Sequence, residues 1–203
     1  MSVTTVMLVG VGGQGTILAG DVLAKVAAAS GLDVKLSEVH GMSQRGGSVD
    51  TQVRFGDKVF SPVADPGDVD HLVAFEMIEA ARALHFLKPD GRLVVNKRLI
   101  EPLPVLIGEY GATVGVEVVL TFEEGGIMIE ADELACEAGS PRSGNIVLLG
   151  ALSVGLPFEA DLWREVIANR VPPATVEGNL AAFEAGRAAC ATGACEPEGE
   201  CGA

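Results

Sequence analysis

The feature that most constrains this chain is a glycine-rich hexapeptide, Gly10-Val11-Gly12-Gly13-Gln14-Gly15, between an apolar run and a helical pattern. Residues 3–9 are nearly all apolar, as in a central strand that is covered on both faces. The helical pattern begins near Thr16. A strand, a glycine turn and a helix in this order are the opening of a βαβ unit. The chain is therefore expected to be an α/β protein.

Each glycine of this loop can have a physical task. One takes a tight turn at positive φ, one lets backbone N–H groups approach a bound group, and one lets the helix pack closely on the strand. The unpaired N–H groups at the helix start form an anion site. The spacing fits Gly-x-Gly-x-x-Gly, and Glu38 follows 23 residues after Gly15. Two interpretations stay open: the loop binds a dinucleotide, or it only shapes the turn between strand and helix.

The composition limits the class of protein. The 203 residues suit one domain, and with 48% hydrophobic but 4% aromatic residues its core is expected to be aliphatic. The net charge of −14 argues against a general affinity for nucleic acid or for an anionic membrane surface. The first apolar run is too short for a signal peptide, and no run approaches the ~18 residues of a transmembrane helix. We expect a cytoplasmic protein.

The order of predicted elements gives the fold class. Strands are predicted at residues 3–9, 34–39, 48–55, 71–75 and 92–96, with one or two more within 112–122. Gly56-Asp57 predicts a hairpin turn, after which residues 58–61 return antiparallel. We expect a three-layer α/β/α Rossmann-like domain over residues 1–189, with a mostly parallel, mixed sheet that includes one antiparallel hairpin. The helices of residues 159–189 pack on it, and residues 190–203 form a disordered acidic tail.

A second unusual loop, residues 40–47, lies between two predicted strands. It combines one imidazole, one guanidinium and small polar groups with three glycines. Arg45, followed by Gly46 and Gly47, places a positive charge beside exposed backbone N–H groups, which suits a carboxylate or a phosphate. The alternative is a flexible turn with a solvated arginine. The glycines on both sides of the polar residues favour a functional loop.

The cysteines and histidines do not have the spacing of metal ligands. Cys190, Cys195 and Cys201 are separated as C-x4-C and C-x5-C, which fits neither a zinc site nor a ferredoxin run. We expect free thiols in the tail, and Cys136 as a small core residue of a helix. No metal site is predicted. Asn145 follows a loop over residues 140–144 and is predicted to cap the next helix.

Two motifs together indicate a family. The hexapeptide and the string Ser37-Glu38-Val39-His40-Gly41-Met42-Ser43-Gln44-Arg45-Gly46-Gly47-Ser48 resemble the gamma-type domain of 2-oxoacid:ferredoxin oxidoreductases. The similarity continues through residues 145–151 and through the last helix, so that it spans residues 3–189. The loop over residues 140–144 departs from the family pattern, which leaves the contacts made there open.

The resemblance implies a division of labour between subunits. Thiamine diphosphate with its magnesium, and the 4Fe-4S clusters, would belong to a larger alpha subunit, so that this chain binds no cofactor and is inactive alone. The family reaction is the oxidative decarboxylation of a 2-oxoacid with coenzyme A, which passes electrons to ferredoxin. The similarity is greatest to the branch that acts on arylpyruvates such as indolepyruvate. Pyruvate, 2-oxoglutarate and branched 2-oxoacids stay open as substrates.

The candidate site residues come from both loops and from the helix after residue 144. They are Gly12, Gly13, Gln14, Gly15, His40, Ser43, Gln44, Arg45, Gly46, Gly47 and Asn145. We expect both loops to face one crevice, where Arg45 and backbone N–H groups hold a substrate carboxylate or a coenzyme A phosphate. The alternative is that the loops dock the alpha subunit and touch no ligand. Two further possibilities are a free-standing NAD- or FAD-dependent oxidoreductase with Glu38 on the ribose, and a non-catalytic module that senses an anionic metabolite.

Overall fold

The computed structural model describes residues 2–41, 46–113, 115–116 and 126–190. Within these ranges six strands form one sheet: β1 (Thr4–Val11), β2 (Asp33–His40), β3 (Ser48–Gly56), β4 (Val69–Ala74), β5 (Leu87–Asn96) and β6 (Gly126–Ile129). The spatial order is β2-β3-β1-β4-β5-β6. β1, β4, β5 and β6 pair in parallel, while β3 is antiparallel to both of its neighbours, β1 and β2. The predicted mixed, mostly parallel sheet is confirmed.

The described helices cover the sheet unequally. They are α1 (Thr16–Ala29), α2 (Met77–Ala83), α3 (Leu103–Leu106), α4 (Ala131–Glu137), α5 (Gly144–Ser153), α6 (Ala160–Arg170) and α7 (Val176–Ala189). One face of the sheet packs against α1, α4 and α5, with α6 and α7 outside them. The other face packs against α2 and the segments beside it. The strands and two sets of helices form the expected three-layer α/β/α arrangement.

The predicted hairpin at Gly56-Asp57 is in the wrong place. Residues 58–61 form no strand, and the Val59 N–H instead donates to a carboxylate oxygen of Asp33 at 2.9 Å. The antiparallel hairpin joins β2 to β3, with the second candidate loop as its connection. The physical reason is that β3 already has β1 on one edge and β2 on the other. No edge of β3 is left for a returning strand.

The helix pair α5 and α7 packs at backbone distance. All ten residues of α5 are buried, as expected for a helix that is apolar on every side. A Cβ on Gly150 would overlap the backbone carbonyl of Phe183, and a Cβ on Gly186 would overlap that of Val147. The region of the family resemblance around residues 145–151 therefore lies in a central helix, whose contact with α7 depends on glycine.

Three local predictions are wrong. Asn145 lies inside α5, whose N-cap is Ser143, because the helix begins two residues earlier than expected. Cys136 is exposed, because the buried face of α4 passes through Ala131 and Ala135. Cys190 is disulfide-bonded and so is not the expected free thiol, since spacing along a tail does not determine which sulfur atoms meet.

Some predictions fall where little is described. Most of the strand prediction within residues 112–122 and the tail after residue 190 lie outside the described residues. In the part of the chain that is described, no helix has the length and apolar character needed to cross a bilayer.

Candidate functional site

A crevice lies at the edge of the sheet between two neighbouring strands, β1 and β4, whose following helices pack on opposite faces. β1, β4, β5 and β6 run parallel, so their carboxyl ends meet at one edge. The helix after β1 packs on one face of the sheet, and the helix after the neighbouring strand β4 packs on the other. In open α/β sheets, ligands bind outside the strand ends at such a switch point. A cavity of about 510 Å³ lies there.

The cavity is lined by residues at or just beyond the carboxyl ends of four strands. They are Gly12, Gly13 and Gln14 after β1, Phe75 after β4, Asn96 at the end of β5 with Arg98 beyond it, and Asp132 in the helix after β6. Most of the remaining wall consists of Gly46, Ile100, Pro141, Arg142, Gly144 and Asn145. Four widely separated segments therefore converge on one space at the carboxyl edge.

The two candidate loops are joined directly. The backbone N–H of Gly12 donates to the carbonyl of Gly47 at 2.8 Å. Gly46 lines the cavity beside the glycine-rich loop, and His40 lines a neighbouring cavity of about 430 Å³ on the other side of that loop. Ser43, Gln44 and Arg45 lie outside the described residues. The described members of both motifs thus meet at one edge of the sheet.

The glycine loop has the conformation that its sequence predicts. Gly13 and Gly15 have φ values of 105° and 86°, which other residues rarely adopt. Gly15 is the N-cap of α1 and provides no side-chain cap for the first turn. The N–H groups of that turn have no partner inside the helix and, with the helix dipole, favour an anion. A Cβ on Gly15 would lie 2.6 Å from the side-chain nitrogen of Asn145.

Gln14 braces the loop from within. Its Oε1 accepts the N–H of Val11 at 2.6 Å, and its Nε2 donates to the carbonyl of Phe75 at 3.2 Å. The side chain therefore ties the end of β1 to the end of β4. The spacing of the motif gives no signal of this role, because the Phe75 partner is 61 residues away.

Polar side chains at the carboxyl end of β5 form one side of the cavity. Asn96 is 4% exposed, donates to the carbonyl of Phe75 at 3.3 Å and accepts the N–H of Ala131 at 3.0 Å. Both Asn96 and Arg98 donate to Asp132 at 3.2 Å. Sequence reasoning missed Asn96, Arg98 and Asp132 as site residues. The available signal was that Asn96 ends a buried apolar strand and Arg98 follows it by two residues.

Arg142 stands on the opposite wall. Its loop is held by a hydrogen bond between the hydroxyls of Ser140 and Ser143 at 2.6 Å. The Ser143 hydroxyl also donates to Oδ1 of Asn179 on α7 at 3.0 Å. Among the described residues Arg142 has no ion-pair or hydrogen-bond partner, although it lines the cavity. This loop therefore brings to the site a guanidinium that has no partner among the described residues.

The acidic groups gather on the other side of Gly46. Glu76 is 1% exposed and caps α2 by accepting the N–H groups of Ile78 and Glu79. Burial raises the pKa of Glu76. Ser48 donates to Glu79 at 2.5 Å, and Arg82 pairs with the same carboxylate. The edge is thus polarised, with arginines around the glycine-lined cavity and carboxylates beyond Gly46.

Glu38 does not have the position that a dinucleotide site requires. In a Rossmann fold the acidic residue at the end of β2 binds the ribose because β2 is next to β1. Here β3 lies between them, so Glu38 is two strand spacings from β1, roughly 10 Å instead of 5 Å. The strand order therefore argues against the dinucleotide interpretation.

Within the described ranges, no group of three or more His, Cys, Asp or Glu side chains is arranged to hold a metal ion. Of the described residues in the wall of the 510 Å³ cavity, Asp132 is the one carboxylate, and it is paired with Arg98.

Comparisons with known proteins agree with one another. The sequence matches the family described as pyruvate ferredoxin/flavodoxin oxidoreductase over residues 5–189. It is 39% identical over 187 residues to indolepyruvate oxidoreductase subunit IorB of Thermococcus kodakarensis, covering 89% of this chain and 93% of that protein. It is 31% identical over 186 residues to 2-oxoglutarate synthase subunit KorC of Methanothermobacter marburgensis, covering 90% and 94%. The gamma subunit of a keto/oxoacid ferredoxin oxidoreductase from Geobacter sulfurreducens has a TM-score of 0.69 and 27% identity, over 93% of this chain and 99% of that one.

Proposed function

The chain belongs to the pyruvate ferredoxin/flavodoxin oxidoreductase family, and on this premise we propose that it is the small subunit of a 2-oxoacid:ferredoxin oxidoreductase for indolepyruvate and related arylpyruvates. The 2-oxoacid loses its carboxylate as CO2, its acyl carbon bonds to the coenzyme A sulfur, and two electrons pass to ferredoxin. The higher identity to an IorB subunit, 39% against 31% for a KorC subunit, supports the arylpyruvate substrate.

The cofactors belong to the large alpha subunit in this proposal. Thiamine diphosphate, when bound there, supplies the carbanion chemistry, and the 4Fe-4S clusters transfer the electrons. The cavity of this chain does not fit a magnesium diphosphate, because Asp132 is the one carboxylate among its described lining residues and is already bound by Arg98 and Asn96. The small subunit is therefore inactive alone and contributes binding surfaces to the assembled enzyme.

We assign the cavity to an anionic group of the reactants. The N–H groups at the start of α1 and Arg142 give it a positive wall, since Asp132 is paired with Arg98 and Glu76 and Glu79 lie outside it. Arg45 would add a third guanidinium from the loop that Gly47 joins to Gly12. The anion is the substrate carboxylate or a coenzyme A phosphate, both of which suit arginine and backbone N–H donors. The hydrogen bond from Gly12 to Gly47 is the observation on which this assignment depends.

The substrate proposal is tested with the assembled enzyme. The chain is co-expressed with its large subunit, and ferredoxin reduction is measured with indolepyruvate, phenylpyruvate, pyruvate, 2-oxoglutarate and 2-oxoisovalerate. We expect kcat/KM to be highest for indolepyruvate and the isolated chain to be inactive. A higher value for 2-oxoglutarate would assign the chain to the KorC type. Binding of NADH or FAD by the isolated chain would instead support a dinucleotide site.

The anion assignment is tested by removing one guanidinium at a time. Arg142→Ala and Arg45→Ala should each raise KM for the 2-oxoacid or for coenzyme A by about tenfold, the loss expected for a charge-assisted hydrogen bond. Arg164→Ala is the control, because Arg164 pairs with Asp161 and Glu184 on the outer helices. Unchanged KM values for both reactants, with weaker subunit assembly, would mean that the loops dock the large subunit and bind no ligand.

A further inference from the structure

The carboxyl edge of the sheet has an exposed apolar surface next to the cavity. It consists of five large side chains, here called the α3 patch: Leu99 (40% exposed), Leu103 (68%), Leu106 (69%), Ile107 (59%) and Tyr110 (70%). Across the glycine loop, Ile17 and Val39 are also more than half exposed at the same edge. Contiguous exposed apolar side chains of this number are unusual for a surface that faces water.

The α3 patch has no role in the core of this chain. α3 itself is four residues long and follows Pro102, and none of its side chains is buried. None of the patch residues belongs to either hydrophobic cluster of the described structure. Folding of this chain therefore does not explain why apolar side chains occupy these positions.

The α3 patch is continuous with the candidate cavity. Ile100 lines both that cavity and an adjoining groove of about 370 Å³. Leu103 and Leu106 line the same groove, and Gly46 lies in the walls of both spaces. A protein surface that covers α3 would therefore also lie over the mouth of the cavity.

The charges around the α3 patch are mostly negative: Glu76, Glu79 and Glu101 line the adjoining groove, and Arg82, its one described cation, pairs with Glu79. Residues 99–113 contain two acidic residues and no Lys or Arg. Glu101 accepts hydrogen bonds from the backbone and the hydroxyl of Thr113, at 3.1 and 2.5 Å, whereas Glu109 is exposed. The whole chain has a net charge of −14. The complementary surface is aliphatic and has Lys or Arg at its rim.

We propose that the α3 patch is the docking surface for the thiamine-binding large subunit, which meets it with an aliphatic surface edged by basic residues. The inference rests on the proposed function and divides the carboxyl edge into two parts. The α3 patch holds the partner protein, and the arginine-lined cavity beside it holds the anionic group. The subunit contact closes the cavity from the side of the groove.

The test compares subunit affinity between matched variants of the full-length chain. Leu103→Ser with Leu106→Ser should raise the Kd for the purified large subunit about 100-fold, since truncation of a buried interface side chain commonly costs tenfold or more. Glu109→Lys should raise it about fivefold at low salt, through loss of charge complementarity. The matched control is Phe60→Ser, because Phe60 is 87% exposed but lies next to the Val59 contact with Asp33, at the opposite edge of the sheet.

The outcomes separate this inference from the proposed function. Each variant is first compared with the wild-type chain by thermal unfolding, and an unchanged Tm shows that the variant is folded. A wild-type Kd for the double leucine variant, or an equal loss for Phe60→Ser, would overturn the docking surface. Self-association of the isolated chain that the leucine changes abolish, with the large-subunit Kd unchanged, would assign the patch to a second copy. Tight assembly without turnover of arylpyruvates would contradict the proposed substrate and leave the docking surface intact.

Discussion

The side-chain amide of Asn145 donates a hydrogen bond to the backbone carbonyl of Gly15 at 3.3 Å, across 130 residues of chain. Gly15 is the N-cap of α1, and Asn145 lies in the first turn of α5. The bond therefore fixes the start of one helix against the start of another at the wall of the candidate cavity.

Alanine at Gly15 should be more harmful than alanine at Gly13. Both positions have positive φ, which costs a non-glycine residue about 1–2 kcal/mol of folding stability. At Gly15 the new Cβ would also lie 2.6 Å from the Asn145 amide, whereas at Gly13 no atom lies within 4 Å. We expect the free energy of unfolding, measured in urea, to fall by about 1 kcal/mol more for Gly15→Ala.

A second change identifies the source of that difference. Asn145→Ala in the Gly15→Ala background removes the amide that the Cβ approaches, so it should recover the additional loss but not the cost of positive φ. Equal stability of the two glycine variants would show that Asn145 moves away freely.

Glutamate at Gln14 should destabilise the loop in a pH-dependent way. The Gln14 amide nitrogen donates to the Phe75 carbonyl, and a carboxylate in its place would oppose that oxygen. We expect Gln14→Glu to lose about 1–3 kcal/mol at pH 7, because the carboxylate replaces a hydrogen-bond donor and repels the Phe75 carbonyl, which keeps only its bond from Asn96. At pH 4 much of this loss should be recovered, because a protonated carboxyl can donate again. Urea titrations at both pH values measure the effect, and a loss independent of pH would contradict the bracing role.

The contact between α5 and α7 should not tolerate a methyl group. Gly186→Ala would place its Cβ against the backbone carbonyl of Val147, which cannot rotate away as a side chain does. We expect a loss of at least about 3 kcal/mol, with a lower Tm. Gly111→Ala is the control, because no atom lies within 4 Å of its added Cβ. A similar Tm for the two variants would show that the helices separate without cost.

His71 should make the chain less stable in acid. Burial, with Arg92 and Lys88 nearby and Asp70 opposing them, lowers the pKa of His71 to about 4. The unfolded chain takes up this proton below its ordinary pKa of about 6.5, while the native chain does not. Stability is therefore complete above pH 6.5 and is lost as the pH falls from 6.5 to 4, by about 2–3 kcal/mol.

A variant that cannot titrate isolates this effect from the carboxyl groups. The free energy of unfolding falls between pH 7 and pH 4, and in His71→Gln this fall should be about 2–3 kcal/mol smaller than in the wild-type chain. At pH 8, where the His71 imidazole is neutral in both states, the pH slope should be the same in the two proteins. An unchanged acid profile would show that His71 is solvated in the native state.

The family could be identified from two motifs together but not from the glycine-rich hexapeptide alone. The hexapeptide and the string around Arg45 identified the family, and the family match over residues 5–189 confirms it. The glycine spacing alone left a dinucleotide site open. The strand order argues against that site, because β3 separates Glu38 from β1. A spacing along the chain gives the position of a residue on its strand but not the distance between strands.

Local sequence by itself determined the identity of the elements. The apolar run before Gly10 became β1, the stripe after Thr16 became α1, and the glycines of the loop took positive φ. Apolar side chains repeat every two residues in a strand and every 3.6 residues in a helix, and glycine adopts positive φ freely. Both effects act within a few residues of the chain. The aliphatic core followed in the same way.

Tertiary structure decided how distant segments meet. It placed β3 between β1 and β2 and gave Gln14 a hydrogen-bond partner at Phe75. Asn145, expected to cap its own helix, instead donates to the carbonyl of Gly15. It also brought Arg98 and Arg142 to the cavity and left the α3 patch uncovered. Strand pairing and buried hydrogen bonds are settled by competition among segments far apart in the chain, so local patterns could not indicate them.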